Sequence, residues 1–322
     1  MHAAVLHAFG EPTPGTFAEP EPTADAVVLE VLAAGLNHLD LMRASGTFYT
    51  GPPALPSVVG SDGVGRDPAG RVVYFDQAVA PFGSMAEQTL VPAASTIEVD
   101  VDVDPVILAA LGNAALAAHT ALQWRAQLQP GETVVVLGAT GVVGRLVIQV
   151  ARLLGAQRVI AAGRDPEGLV RATELGADDV VRLDDADGLA DALAGGDVIV
   201  DLLWGSAATA ALTHAAHRVR LIQMGQLAAV HTPLAAPLVR SHAVDIRGHA
   251  VFHVPYDIRA AAYRWIAQKA AEGQLVIDTE QIRIHDIEAA WRRQAAGTHG
   301  VKLVVVPDDV DHPQGDDVAS RG

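Results

Sequence analysis

The run from Thr133 to Gly144, TVVVLGATGVVG, limits what this chain can fold into more than any other stretch. Thr133 to Leu137 is apolar and β-branched, which suits a buried strand. Gly138, Gly141 and Gly144 follow at regular spacing, and from Arg145 to Leu154 apolar residues recur at helical intervals, so the chain turns from strand to helix across the glycines. A glycine permits the tight bend, missing side chains let backbone approach a pyrophosphate, and the helix start offers unpaired N–H groups to negative charge. Gly138, Thr140, Gly141, Val142, Val143 and Gly144 are therefore the candidate dinucleotide contacts. The competing reading is a purely structural turn. Against it stand the strand before, the helix after and a second strand beyond.

Up to about residue 100 the chain reads as β-rich, with apolar runs at 27–31, 71–75 and 89–91 separated by clusters such as Gly51-Pro52-Pro53. An alanine-rich helical region starts near Asp104 and leads through Gln129-Pro130-Gly131-Glu132 into the opening strand. Beyond the glycines, candidate strands at 158–162, 179–183, 197–203, 218–224 and 244–247 alternate with candidate helices near 167–175, 188–194 and 207–216. With the opening strand these make a six-stranded parallel sheet wound on both faces, an α/β fold. After Pro255, a helix over 258–272, a strand at 281–284, a second helix from about Ile287 and a strand at 301–306 do not continue the repeat. This end is expected to return to the β-rich leader. Asp308 to Gly322 is acidic and polar, and reads as a disordered tail.

The formal net charge of −16 repels phosphate backbones and anionic lipid, which leaves small molecules as the expected partners and excludes nucleic acid. With no cysteine there is no disulfide framework and no thiolate, which suits a reducing cytoplasm. The first residues lack the basic start and long apolar core of a signal peptide, so a cytoplasmic location is expected. The charge-free run 106–124 is nearly long enough to span a bilayer, but it is alanine-rich and carries Asn113, His119 and Gln123, so buried helices rather than a membrane span are expected.

The second strand bears on the cofactor. A site that prefers NADH sets a carboxylate on the ribose hydroxyls roughly 20 residues after the turn. Counted from Gly144, that place falls on Gly163, and the next residue is Arg164. A planar guanidinium matches phosphate oxygens, and a missing acid removes repulsion, so NADPH is favoured. A loop shifted by one residue would instead put Asp165 on the ribose and leave Arg164 as a solvated surface residue.

The glycine turn, the Pro-Gly-Glu before it and the β-rich leader together resemble the medium-chain dehydrogenase/reductase superfamily, in its zinc-independent quinone oxidoreductase-like branch. Further pieces in the same order are GLNHLD at 35–40, LPSVVGSDG at 55–63, GSMAE at 83–87, HTAL at 119–122 and HGVKLV at 299–304. The resemblance implies a GroES-like β-rich catalytic domain built from both chain ends, with a Rossmann domain inserted and a cleft between them. The implied bounds are 1–115 for the first part of the catalytic domain, 116–254 for the Rossmann domain, 255–307 for the return and 308–322 for the tail. It also implies that Asn37 is a polar group near the nicotinamide, that Thr120 and the Met224-Gly225 and Val251-Phe252 backbones lie along the cofactor, and that two copies pair through the last Rossmann strand. For Asn37 a local role, bonding its own turn, stands beside that one.

In the zinc alcohol dehydrogenases that this branch is similar to, three metal ligands fall where this chain has Asn37, Ser61 and Leu116. These are not a ligand set, since zinc takes thiolate, imidazole or carboxylate donors. No metal is expected. Without a Lewis acid, simple alcohol chemistry is disfavoured, whereas a quinone or an α,β-unsaturated carbonyl spreads the incoming charge itself. Tyr49 is a candidate hydrogen-bond donor to substrate or, equally, packing on the cleft lip; Met42 and Phe48 stand where related reductases tend to carry aromatic hydroxyls. The expected activity is NADPH-dependent quinone or enone reduction. The alternatives are an enoyl-thioester or biosynthetic double-bond reductase, and a non-catalytic NADPH-binding protein of crystallin-like or sensing type.

Overall fold

The computed structural model describes residues 1–184 and 189–308. The tail beyond Asp308 and the first residue of the helix expected at 188–194 lie outside the described residues.

Six strands form one parallel sheet in the order Asp179–Arg182, Arg158–Gly163, Thr133–Leu137, Val198–Asp201, Arg220–Gln223, Asp245–Gly248. The strand period of two sorts the opening strand's side chains between two cores. Val134 and Val136 pack with Leu146, Val147 and Val150 of the Val142–Leu153 helix, while Val135 and Leu137 pack with Ala208, Ala211 and Leu212 of the Ser206–Thr213 helix. Both faces are thereby covered, which explains why these strands read as unbroken apolar runs. The fold class is the expected doubly wound α/β arrangement.

The second large sheet has seven strands. Its main path runs Thr279–Arg283, Lys302–Val306, Ala26–Gly35, Gly63–Arg66, Val72–Phe75, Ile97–Glu98, and Gln88–Pro92 pairs beside Ala26–Gly35. The last strand of the chain, Lys302–Val306, lies antiparallel to Ala26–Gly35, with Val304 opposite Gly35, so both chain ends share this sheet. A small third sheet joins Thr13–Thr16, His2–Leu6 and Ser57–Val58.

The helix Pro105–Thr120, continued by a π-helical turn Ala121–Ala126, connects the two large sheets. It starts on Asp104, whose carboxylate accepts from the Val106 N–H, followed by Pro105. Among the described residues this is the one helix long and apolar enough to cross a membrane; 78% of its most apolar window is buried inside the protein, which makes it a core helix here. Its path breaks at Gly112, with φ −19° and ψ −115°. A Cβ there would come within 2.2 Å of Asp62 Oδ2 and 2.9 Å of the Tyr74 ring, so only glycine fits. Tyr74 in turn stacks on Tyr263 at 4.0 Å, and the Tyr263 hydroxyl donates to the Leu108 carbonyl of the same helix.

One helix went unanticipated in the leader, His38–Ala44. The two flanking the glycine turn and the final ones follow expectation closely: Tyr256–Ala271, expected over 258–272, and Ile287–Ala296. Arg259 on the first of these is buried, donating to the Val254 carbonyl and to the carboxylate of Asp76, which follows the Val72–Phe75 strand. Removing one member of a buried ion pair strands the other, at a cost of about 3 kcal/mol or more. We expect Arg259→Met to lower the unfolding free energy by about 3 kcal/mol, and replacement of the exposed Arg264 by Met to change it by less than about 0.5 kcal/mol, when both are measured by urea titration.

Candidate active site

In the parallel sheet the strand order reverses between Thr133–Leu137 and Val198–Asp201, because one connection leads outward to Arg158–Gly163 and the next to the opposite side. Such a switch point opens a crevice at the carboxyl ends of the strands. The loops there hold most of the residues expected to bind a dinucleotide: Gly138 to Gly144, Gly163-Arg164, Met224-Gly225 and Val251-Phe252.

The turn itself has the geometry its glycines permit. Gly138 takes φ +89°, a region open to glycine, and a Cβ on Gly144 would lie 2.3 Å from the Gly138 carbonyl and 2.7 Å from Ala139 Cα. Gly141 is the N-cap of the Val142–Leu153 helix and provides no side-chain acceptor, so the first N–H groups of Val142 and Val143 remain for an anion. A Cβ on Gly141 would meet nothing nearer than 3.7 Å, leaving an open approach. These features fit a bound pyrophosphate. Thr140 instead packs behind the turn, its methyl 2.5 Å from where a Gly163 Cβ would be. At the end of the second strand Gly163 is buried, Arg164 is exposed, and Asp165 caps the Pro166–Glu174 helix by position without a side-chain cap bond.

Met224 and Gly225 are half-buried, and both N–H groups donate to the Asp201 carbonyl. Thr120 offers less than expected. It is fully buried, its hydroxyl donates to the Leu116 carbonyl, and it accepts from His249 Nε2 at 3.1 Å. That bond fixes the proton of His249 on Nε2 and leaves its buried Nδ1 without a partner among the described residues. Burial, with Arg125 and His253 nearby, lowers the His249 pKa to about 4, so the ring is neutral.

Across the crevice, the loop after the His38–Ala44 helix meets the segment after the last parallel strand. Phe48 packs edge-on to Phe252 at 6.0 Å, and Tyr49 lies 5.8 Å from the same ring. Tyr49 also lies 4.1 Å from Phe48 and is 67% exposed, which puts it on the lip of the seam. Burial of its inner part raises its pKa, so the phenol stays protonated.

Asn37, expected near the nicotinamide or bonding its own turn, is buried and held within the protein. Its amide nitrogen donates to the Gly35 carbonyl and to Asp62 Oδ1, and its oxygen accepts from Lys302 Nζ at 2.6 Å. Both amide N–H groups are thus taken by protein acceptors. Around it lies a buried polar cluster that sequence reading did not assemble: Asp62 is 1% exposed and Lys302 4%. Lys302 also donates to the Leu36 carbonyl, Asp62 accepts from the Asn113 N–H at the kink of the long helix, and Asp40 accepts from the Asn37 N–H and the Ser61 hydroxyl. Arg43, half-buried, donates to Ser61 Oγ at 3.2 Å and lies 5.6 Å over the Phe48 ring. The one local signal for part of this was Asn37-x-x-Asp40, a helix-start pattern in which the third helical residue reaches back to the cap.

The residues at the three positions compared with zinc ligands do not make a zinc site. Asn37 and Ser61 are bound up in this cluster, and Leu116 is an alkyl side chain in the core. Among the described residues no three His, Cys, Asp or Glu side chains gather in a ligand group. His214 pairs with Asp191, and His249 is held by Thr120.

The crevice and glycine turn define a dinucleotide-binding protein of two-sheet dehydrogenase architecture. The family described as zinc-binding dehydrogenase matches residues 142–268. The rat quinone oxidoreductase is 33% identical over 175 residues, covering 50% of this chain and 51% of that protein. A phenolphthiocerol/phthiocerol polyketide synthase of Mycobacterium tuberculosis is 28% identical over 317 residues, 88% of this chain and 14% of that much longer protein. The chain thus spans less than two thirds of either relative. The Thermus thermophilus quinone oxidoreductase, whose structure is known alone and with NADPH, superposes with a TM-score of 0.78 at 28% identity, covering 95% of this chain and 100% of that one. These comparisons support a quinone oxidoreductase-like protein of the medium-chain dehydrogenase/reductase superfamily.

The buried cluster makes stability depend on pH. Desolvation raises the Asp62 pKa from 3.8 to about 7, opposed by Lys302 and by the bonds from Asn113 and Asn37 and reinforced by Asp40. The folded state therefore holds a proton that the unfolded chain releases near pH 4. This contribution is complete below the unfolded pKa and is lost as pH rises through about 7. We expect Asp62→Asn to flatten the fall in unfolding free energy between about pH 4 and 7, measured by denaturant titration across that range.

Proposed function

We propose that this chain is an NADPH-dependent oxidoreductase that works without zinc and passes hydride to a quinone or an α,β-unsaturated carbonyl compound. The observation that carries the reading is the pairing of an open glycine turn with a second strand that ends in Gly163 and the exposed Arg164, with no acidic residue at either of those two positions. The complex of the Thermus thermophilus enzyme with NADPH supports the cofactor, and the quinone oxidoreductases among the relatives support the acceptor class.

When bound, NADPH would supply hydride chemistry for the β-carbon of a conjugated acceptor, the carbonyl oxygen taking up the charge and water the role of proton source. Everything else falls to the protein. The Gly138 to Gly144 backbone and the start of the Val142–Leu153 helix hold the pyrophosphate, and Arg164 holds the 2′-phosphate. The Phe48–Tyr49–Phe252 aromatic seam forms an apolar lip against which a conjugated acceptor would lie.

A second reading keeps the cofactor and changes the acceptor to an enoyl thioester. The polyketide synthase relative favours it, because its match extends over 88% of this chain. NADPH oxidation assayed side by side with quinones, simple enones and crotonyl thioesters separates the two. Tight NADPH binding with no turnover on any of them would instead support a non-catalytic binding role. Assembly belongs to the same proposal: Asp245–Gly248 is an edge strand of the parallel sheet, and an edge-to-edge pair through it would make a homodimer.

Arg164 gives the cofactor test. We expect Arg164→Ala to weaken NADPH by about tenfold or more and NADH by less than about twofold, measured by fluorescence titration, since a charge-assisted pair to phosphate is lost from one nucleotide only. Equal losses would contradict the assignment.

A further inference from the structure

We propose that Arg43 is the electrophile of the site: its guanidinium donates hydrogen bonds to the acceptor oxygen on which negative charge collects. The inference rests on the reductase reading above and names the group that this chemistry requires.

Reducing a conjugated carbonyl builds charge on one oxygen, and a preorganised donor aimed there accelerates the step. The side chains expected to serve do not. Asn37 has both amide N–H groups committed to Gly35 and Asp62, and Thr120 donates to Leu116. Lys302 is buried beneath Asn37, bonded to Leu36 and Asn37. Tyr49 stands on the lip, mostly in solvent. Arg43 differs from all of them. Of its five N–H groups one is committed, to Ser61 Oγ, and among the described residues the others meet no protein acceptor.

Its surroundings hold it in place. Ser61 is itself fixed by donating to the buried Asp40 carboxylate, so the guanidinium is tethered to a rigid cluster on one side. On the other side lies the face of Phe48, the ring that reaches across the seam to Phe252. Among the described residues no carboxylate lies within ion-pair distance of Arg43, so its charge is not cancelled by a direct partner, while Asp40 and Tyr49 both lie within its electrostatic reach. A half-buried cation with uncommitted donors, at the join of the two halves and beside the aromatic seam, is a site for an oxyanion. The guanidinium stabilises the charge, and water supplies the proton.

The test uses Arg43→Met and Arg43→Lys in the full chain. Binding of 4-nitrophenol, followed by its visible phenolate band with and without NADP⁺, reads the oxyanion site without turnover. We expect wild type to bind the phenolate in preference to the phenol, Arg43→Met to lose that preference by about tenfold or more, and Arg43→Lys to keep part of it. On an enone that wild type reduces, Arg43→Met should lower kcat by about a hundredfold with NADPH affinity unchanged. Phenolate binding and kcat within about twofold of wild type in Arg43→Met would overturn the proposal. So would parallel losses of phenolate binding, NADPH binding and thermal stability, which would make Arg43 a structural residue. A wild type that binds phenolate through Arg43 yet binds no NADPH would contradict the reductase reading and leave the oxyanion site standing.

Discussion

A lysine buried between two aspartates holds this structure's seam together. Lys302 comes from the last strand of the chain, Asp40 and Asn37 from the leader's short helix and its cap, and Asp62 from the strand connection that reaches the kink of the long helix. Burying such charges costs several kcal/mol per ion unless hydrogen bonds and opposite charges compensate. Here Lys302 donates to Leu36 and Asn37, Asp62 accepts from Asn37, Asn113 and Tyr74, and Asp40 accepts from Asn37 and Ser61. Desolvation still wins at Asp62 and Lys302, pushing the acid up and the amine down. The cluster thereby joins first and last segments of the chain to the helix that leads into the parallel sheet.

That connection gives the site its geometry. The kink at Gly112 exists where the Asp62 carboxylate enters the helix, and beyond it the same helix carries Thr120, which fixes His249 at the carboxyl edge of the parallel sheet. On its other side the cluster fixes Ser61 and, through it, Arg43. The carboxyl edge of the parallel sheet at His249 and the aromatic seam at Phe48 are thus joined to the same cluster through the long helix and through Arg43. Sequence position hides this, since the residues concerned run from Gly35 to Lys302.

What the sequence made legible is what local physics decides. Thr133 to Gly144 reads as strand, turn and helix because each step is set by neighbouring residues: β-branched burial, glycine at positive φ, then apolar residues at helical spacing. The alternating strands and helices after it follow the same logic, and the parallel sheet resulted. The cluster was illegible for the opposite reason. Nothing near Lys302 announces Asp62, and Asn37's long-range bonds are to residues 25 and 265 positions away. Asn37-x-x-Asp40 announced the start of the His38–Ala44 helix, and that helix start turned Arg43, one turn after Asp40, toward the same side of the loop.

The central claim is that hydride moves directly from NADPH to a conjugated acceptor with protein donors in place of a metal. Stereospecifically 4-deuterated NADPH, oxidised by an enone in the presence of a strong zinc chelator, tests it most directly. The account predicts that one NADPH isomer delivers a single deuterium to the β-carbon of the product at an undiminished rate. Turnover abolished by the chelator, or a product without deuterium from either isomer, would contradict it.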